Sequence, residues 1–400
     1  MKVAGIVAEY NPFHTGHGFQ MEQTRAQMGA ECAIVAVMSG NWVQQADCAI
    51  ADKWKRTRLA LMGGADLVLE LPTVWACSTA ESFARGSVGI LNACGVVDTL
   101  SFGSECGNVQ GLKAVAACLD SQDYHARVSA LANEGMTFAA CRQAAVSELL
   151  GEELGSLLSK PNNNLGVEYI RALTALGSKI EPMTVLRQGA EHNSVGQTDR
   201  FVSATQIRAN LREGNWDAAQ LYLPAGGRAV LEGTAIDLPG LERVERAILA
   251  RLRTMTAEDW TMLPDSGGAE GLPQRLERAG KNCVSVDDFF GQAKTKRYTH
   301  ARLSRLVLWA YLGLTAAHVP AVPPYIRVLG FNERGREVLR QMKECATLPI
   351  LTKPAHAREL DGVGRALFAL EARCTDLYDL CFERVPAPGR EWTTDPVIEL

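Results

Sequence analysis

Four short apolar runs near the start of the chain set the limits on its fold: Val3–Ala8, Cys32–Met38, Leu67–Leu71 and Val96–Phe102. Apolar residues dominate them, and none keeps along its whole length the strict apolar–polar alternation of a strand with one wet face. Each therefore reads as a strand buried on both faces. Helix-like stretches separate them: Phe19–Met28, Lys53–Met62 closed by Gly63-Gly64, and Ser78–Asn92. Buried strands alternating with helices predict an α/β fold with a Rossmann-like parallel sheet, because each parallel crossover supplies the helix that covers a face. Ligands of such sheets bind beyond the carboxyl ends of the strands. Polar and chemistry-bearing residues fall at those ends: Asn11 to His17, Ser39 to Gln45, and Gly103-Ser104-Glu105.

The most specific of these is His14-Thr15-Gly16-His17, where the first run passes through Asn11-Pro12 into the first helix. A helix N-terminus presents unpaired N–H groups and a partial positive charge, which suits a phosphate. Two imidazoles there add donors for charge developing on a transferring phosphoryl group. The pattern predicts nucleotidyl transfer. H-x-x-H also occurs in zinc sites, but zinc takes three or four protein ligands. No Cys or acidic residue stands at ligand spacing, and Cys32 and Cys48 lack a C-x-x-C partner, so no protein metal site is expected.

The 400 residues exceed one typical domain, and two are expected. A hydrophobic fraction of 47% with 22% charged residues is that of a globular protein with a substantial core. The N-terminus lacks the basic and apolar regions of a signal peptide. No run approaches the roughly 18 apolar residues of a membrane span. Eleven cysteines without pairing rhythm, several in apolar settings (Cys77, Cys94, Cys118), fit a reducing cytoplasm. The net charge of −4 means that any RNA partner must be met by a local basic patch.

Further along, residues from Val109 to Leu158 read as helical. The helix Gly166–Leu176, the strand Met183–Arg187 and a polar loop, Gln188–Arg200, follow. Pro and Gly cluster over Tyr222–Gly240, which places a domain boundary there. Residues 1–222 would form the α/β domain and residues 223–400 a mostly helical one, with helices over Leu241–Met255, Val284–Phe290, Thr299–Leu312 and Arg334–Lys343. The tail past Pro386 is expected to pack loosely.

Four more groups bear on chemistry. Gly40–Gln45 reads as a polar loop carrying an exposed aromatic, Trp42. Gly103 either lets backbone approach an adenine or ribose closely or makes an ordinary turn. The Asn162-Asn163-Asn164 run either caps a helix or binds a base or ribose. Ser203 and Thr205, with Arg208 one turn on, either hold an anionic phosphate chain or simply begin a helix. Arg187, at a strand end, is a further phosphate candidate.

H-x-G-H together with S-x-T-x-I-R resembles the HIGH-type nucleotidyltransferase superfamily. The segments AEYNPFHTGH, GNWVQQ, AIADKW, GADLVLELP, LSFGSE, PNNNLG, SATQIR, KRYTHARLSR and YIRVLGFN, in that order over most of the chain, resemble the bacterial tRNA(Met) cytidine acetate ligase family. The resemblance implies that acetate attacks the α-phosphate of ATP, giving acetyl-adenylate and pyrophosphate. The acetyl group then passes to N4 of the wobble cytidine of elongator tRNA(Met), giving N4-acetylcytidine. Mg2+ would accompany ATP as counter-ion. Carried onto this sequence, the ATP site comprises Val7, Ala8, Glu9, Tyr10, Asn11, Pro12, Phe13, His14, Thr15, Gly16, His17, Gly18, Phe19 and Gln20, with Gly103, Asn162 or Asn163, and Arg187. His14 and His17 would be catalytic, stabilising phosphate charge. Ser203, Thr205 and Arg208 would hold the β,γ-phosphates.

The basic stretch Lys294, Lys296, Arg297, Arg302 and Arg305 fits tRNA, with Tyr298 and His300 able to stack on unpaired bases. It fits a solvated helix face as well. Arg327, Arg334 and Arg336 could extend it. Two positions depart from the family pattern: Gln45-Ala46 stands where members usually have Arg-Gly, and Glu191-His192 where they have Tyr-His. Two other functions share these features, a small-molecule adenylyltransferase on the same scaffold and an RNA-binding module with a vestigial nucleotide site. The large C-terminal half argues against the first, and the intact histidines against the second.

Overall fold

The structure is a computed structural model, and it describes residues 1–133, 136–188, 201–232, 238–267, 271–295 and 297–399. The four apolar runs form strands β1 (Val3–Ala8), β2 (Ala33–Ser39), β5 (Leu67–Leu71) and β6 (Thr99–Ser104). Between β2 and β5 lies a two-stranded antiparallel ribbon, β3 (Trp42–Val43) and β4 (Asp47–Cys48). The remaining strands are β7 (Glu181–Leu186), β8 (Ile326–Asn332), β9 (Ile350–Leu351) and β10 (Val397–Glu399). The main sheet runs β10-β8-β5-β2-β1-β6-β7, with β9 beside β8. Its pairs are parallel except β5 with β8.

Alternate residues of one strand enter opposite cores. Val35 and Val37 of β2 lie in one apolar cluster, and Ile34, Ala36 and Met38 in the other. This two-sided burial is why the strands read as apolar runs.

The sheet is not confined to the first 222 residues. β8 and β10 come from beyond the expected boundary and extend the sheet past β5. The sequence reading assigned no strand after residue 222. The tail expected to be loose is pinned instead: Glu391 is fully buried, and β10 pairs with β8 in parallel register. The anchor is ionic. Lys53 Nζ lies 2.5 Å from both Glu70 Oε1 and Glu391 Oε2, and Arg327 Nη2 lies 3.6 Å from Glu391 Oε1. Arg327 is 2% exposed. It therefore belongs to this buried cluster and extends no surface patch. Arg334 pairs with Glu31 and Asp66.

Two local expectations are corrected as well. Trp42 is fully buried, donating from Nε1 to the Cys374 carbonyl over 2.9 Å, with its ring edge-on to Tyr311 and Tyr378. Gln45 is exposed, whereas the neighbouring Asn41 is buried with the indole and bonded to Thr375 and the Lys53 N–H. The Asn run lies within the first turn of the helix Pro161–Ala175 rather than before it. All eleven cysteines are free, and nine are buried.

Candidate active site

The sheet order places the site. β2 and β5 lie on one side of β1, and β6 and β7 on the other, so the chain changes direction across β1 and β6. Such a switch point leaves a crevice at the strand ends. Here the crevice is widened because β1 pairs with β6 only through Ala4–Thr99 and Gly5–Leu100. Beyond that point the free groups of β6 are taken by the first helix, α1 (Thr15–Met28). Gln20 Nε2 donates to the Ser101 carbonyl over 3.1 Å, and Thr24 Oγ1 meets Ser101 Oγ at 2.7 Å.

α1 begins with the two histidines. His14 is its N-cap and His17 its third residue, joined in a reciprocal capping box. Gly16 N–H donates to His14 Nδ1 over 3.0 Å, and His14 N–H donates to His17 Nδ1 over 3.2 Å. Because each Nδ1 accepts, the proton of each neutral ring sits on Nε2. Both rings therefore carry an Nε2–H donor. A Cβ on residue 16 would come within 2.9 Å of the His14 ring, so this cap requires glycine there. Gly29, at φ 112°, ends the helix by donating to the Arg25 carbonyl.

The electrostatics favour neutral rings. Burial lowers the His14 pKa to about 4, helped by Arg187. Burial, His14 and Arg187 push His17 well below the usual value of 6.5. His17 is held in place by aromatic contacts, edge-on to Tyr10 at 4.8 Å and tilted against Phe13 at 5.4 Å between ring centres. Tyr10 itself has φ 45°, turning the chain sharply after β1.

Two adjoining cavities open here. The larger, about 370 Å³, is lined by Val7 to Asn11, His17, Gln20, Gln44, Gln45, Phe83, Phe102, Gly103, Pro161, Asn162, Leu165, Tyr169, Arg187 and Ala204. The other, about 260 Å³, is lined by His14, Gly16, His17, Phe19, Gln20, Gly103, Val185 to Gln188 and Phe201 to Ala204. His17, Gln20, Gly103, Arg187 and Ala204 border both. Gly103 thus faces ligand space, and Arg187, exposed at the end of β7, stands across from the histidines.

Not every candidate reaches a cavity. Asn163 is 1% exposed, and its Oδ1 accepts from the N–H groups of Glu105 and Cys106. It is a structural brace, which corrects its inclusion in the ATP site. Asn162 lines the larger cavity while donating to Glu105 Oε1 over 2.6 Å. Pro12 and Phe13 are buried beneath the site, and Thr15 and Gly18 line neither cavity. Ser203 caps the helix Ala204–Arg212 and lines the smaller cavity. Thr205 and Arg208 line neither. Arg208 donates to the Asn11 carbonyl over 2.8 Å and to Thr205 Oγ1 over 3.2 Å, which ties the S-x-T-x-I-R helix to the H-x-G-H loop.

One residue that supports the site escaped the sequence reading. Arg56, fully buried on α2 (Lys53–Met62), donates to the carbonyls of Glu9, Ser39, Gly40 and Ala51. Its five N–H donors suit this task. It ties together the carboxyl ends of β1 and β2. Nothing local in the sequence marks it, since Lys53 and Thr57 share the buried part of the helix with it.

The basic stretch is partly consumed internally. Arg305 pairs with Asp265 at 2.6 Å, and Arg302 donates to the Asp265 carbonyl and stacks over Tyr298. Tyr298 is 5% exposed, so it packs in the core and offers no face to a base. His300, Lys294 and Arg297 are exposed. Lys296, Glu191 and His192 lie outside the described residues, as does most of the Gln188–Arg200 loop.

A switch-point crevice under a histidine-capped helix is the arrangement of a HIGH nucleotidyl transferase. The model of that family matches residues 1–390, and the chain belongs to it. The tRNA(Met) cytidine acetate ligase of Thermoanaerobacter sp. (strain X514) is 34% identical over 408 residues, covering 100% of both chains. That of Caldanaerobacter subterraneus subsp. tengcongensis is 36% identical over 391 residues, covering 96% of each. A crystal structure of Thermotoga maritima TmcAL bound with alpha-thio ATP matches with a TM-score of 0.90 at 32% identity, covering 100% of this chain and 99% of that one. Within the HIGH nucleotidyl transferases, the chain is a member of the tRNA(Met) cytidine acetate ligase family.

Proposed function

We propose that the chain activates acetate with ATP and transfers the acetyl group to N4 of the wobble cytidine of elongator tRNA(Met). The observation that carries this is the pair of neutral, Nε2-protonated imidazoles at the α1 N-terminus, facing Arg187 across a cavity at the switch point. Neutral donors match a reaction in which negative charge grows on phosphate and no enzyme base is needed, because acetate is already an anion. A carboxylate oxygen attacks Pα. The bond from Pα to the bridging oxygen breaks, and pyrophosphate leaves with the electron pair. His14, His17, the α1 N-terminus and Arg187 offset the charge on the phosphate oxygens, so catalysis consists of positioning and electrostatic stabilisation.

The N4 amine then attacks the acetyl carbonyl, and AMP leaves. Mg2+ would come with the triphosphate. Among the described residues no three His, Cys, Asp or Glu gather, so its ligands would be phosphate oxygens and water. Residues 1–222 would supply most of the adenylation site. Residues 223–400 would meet the tRNA, with exposed Lys294 and Arg297 among the phosphate contacts. Among the described residues no helix is long and apolar enough to cross a membrane. A tRNA substrate would place the enzyme in the cytoplasm.

The test combines the protein with ATP, labelled acetate and elongator tRNA(Met). Pyrophosphate release must depend on acetate, and label must appear on the wobble cytidine. Pyrophosphate release indifferent to acetate would overturn the assignment.

A further inference from the structure

The adenylation chemistry leaves one group in the crevice without a task. Among the described residues Glu9, at the end of β1, is the only acidic side chain lining either cavity. Its Oε1 accepts the Gln44 N–H over 2.8 Å, which fixes the carboxyl group. Among the described residues its Oε2 makes no hydrogen bond, although the side chain lines the cavity that His17 and Arg187 border. A carboxylate is a poor neighbour for a triphosphate, because like charges repel. Its presence calls for a partner that donates protons.

We propose that Glu9 is the residue that receives the acceptor base in the second half-reaction, accepting a hydrogen bond from the cytosine N4 amino group and taking its proton as the acetyl group is transferred. The inference rests on the ligase function proposed above and assigns a catalytic residue to its second step. The N4–C bond forms on the acetyl carbonyl, and the C–O bond to the adenylate phosphate breaks, with AMP leaving with the electron pair. The N4 proton passes to Glu9 and is later released to water.

Three features support it. A carboxylate accepts from the N4-H2 of cytosine, whereas the O4 of uracil would face it as a second acceptor. The cavity is floored by Phe83, Phe102 and Tyr169, apolar and aromatic surface suited to an unstacked base. Burial raises the Glu9 pKa, and the Gln44 N–H, Arg208 and Arg56 oppose that rise, while Asp47 adds to it. The net rise moves the carboxylate toward the range in which a general base works best.

The test separates the two half-reactions. Acetate-dependent exchange of label between pyrophosphate and ATP reports adenylation. Single-turnover transfer of labelled acetyl to tRNA(Met) reports the second step. Glu9→Gln keeps an oxygen for the Gln44 N–H but removes the base. It should lower transfer at least about 100-fold more than it lowers exchange, and the acid limb of the transfer pH profile should vanish. Glu9→Asp, which keeps the base at shorter reach, should fall between. Loss of exchange and transfer in parallel, or E9Q transfer within about fivefold of the parent, would overturn the proposal while leaving the ligase assignment intact. A parent protein without acetate-dependent exchange would overturn both.

Discussion

The main-chain N–H of His14 donates to Nδ1 of His17 over 3.2 Å, while His14 Nδ1 accepts from Gly16. One set of hydrogen bonds thus caps the first helix and fixes the tautomer of both imidazoles. Stability and chemistry are linked in the same four residues, and replacing either histidine affects both.

His17→Ala removes an Nε2–H donor and half of the capping box. Loss of a donor to a developing phosphate charge should lower acetate-dependent pyrophosphate exchange by about 10²–10³-fold. Loss of the cap should lower stability by about 1 kcal/mol. Exchange assays and urea denaturation read the two effects separately. Binding of tRNA(Met), measured by filter retention, should stay near the parent level, since most tRNA contacts are proposed to lie on residues 223–400, away from His17.

The lowered histidine pKa values predict a stability trend with pH. The folded rings resist protonation, with His14 titrating near 4 and His17 also displaced well below 6.5. As pH falls below 6.5, the unfolded chain takes up protons that the folded chain declines. The rings' contribution is therefore complete above pH 6.5 and is lost toward pH 4. Urea midpoints should fall from pH 7 to pH 5, and fall less in a variant with both histidines replaced by Gln. An equal slope in both proteins would contradict the assignment.

Gly63 ends α2 directly beneath the site. A Cβ there would lie 2.1 Å from Phe13 Cε1 and 2.3 Å from its Cζ. Phe13 is 2% exposed and cannot swing away. Since Phe13 packs on His17, Gly63→Ala should misplace the imidazole as well as strain the core. The expected result is a loss of about 1–3 kcal/mol of stability, together with a drop in the rate of pyrophosphate exchange and little change in the KM for ATP.

Lys53 is buried between Glu70 and Glu391. Lys53→Met would leave the Glu70 carboxylate without its partner and Glu391 with only Arg327 and Thr375, at a cost of about 3–5 kcal/mol. Glu391 belongs to the C-terminal tail, so the loss should appear as early release of that tail. Limited proteolysis of the variant should cut near the C-terminus well before the parent is cut, and global denaturation should shift to lower urea.

Much of this was legible in the sequence because it is local. β1 and β2 announced themselves as uninterrupted apolar runs, β5 and β6 as apolar runs broken by Glu70 and by Asp98, Thr99 and Ser101, and the strand-turn-helix around His14 to His17 carried its own signature. Asn162 and Asn163 show where local information ends. Both suit a cap or a ligand, and only the position of Glu105 settles that Asn163 braces the β6 turn. Trp42 stood among polar neighbours yet is covered by residues more than two hundred positions away, Tyr311 and Tyr378.

The sequence by itself determined the parallel α/β core, the place of the histidines at its edge and the chemistry they imply, since hydrophobic period and helix capping act within a few residues. Tertiary structure decided how the sheet is completed. β8 and β10 join it from the far end of the chain, and their addition depends on Lys53, Glu70, Arg327 and Glu391 meeting in a buried cluster. It also decided which arginines face a ligand: Arg187 lines the cavities, whereas Arg56 and Arg327 are buried and Arg305 is engaged by Asp265 at the surface. Charged residues leave no periodic trace of their partners, so pairing over such distances becomes visible only once the chain has folded.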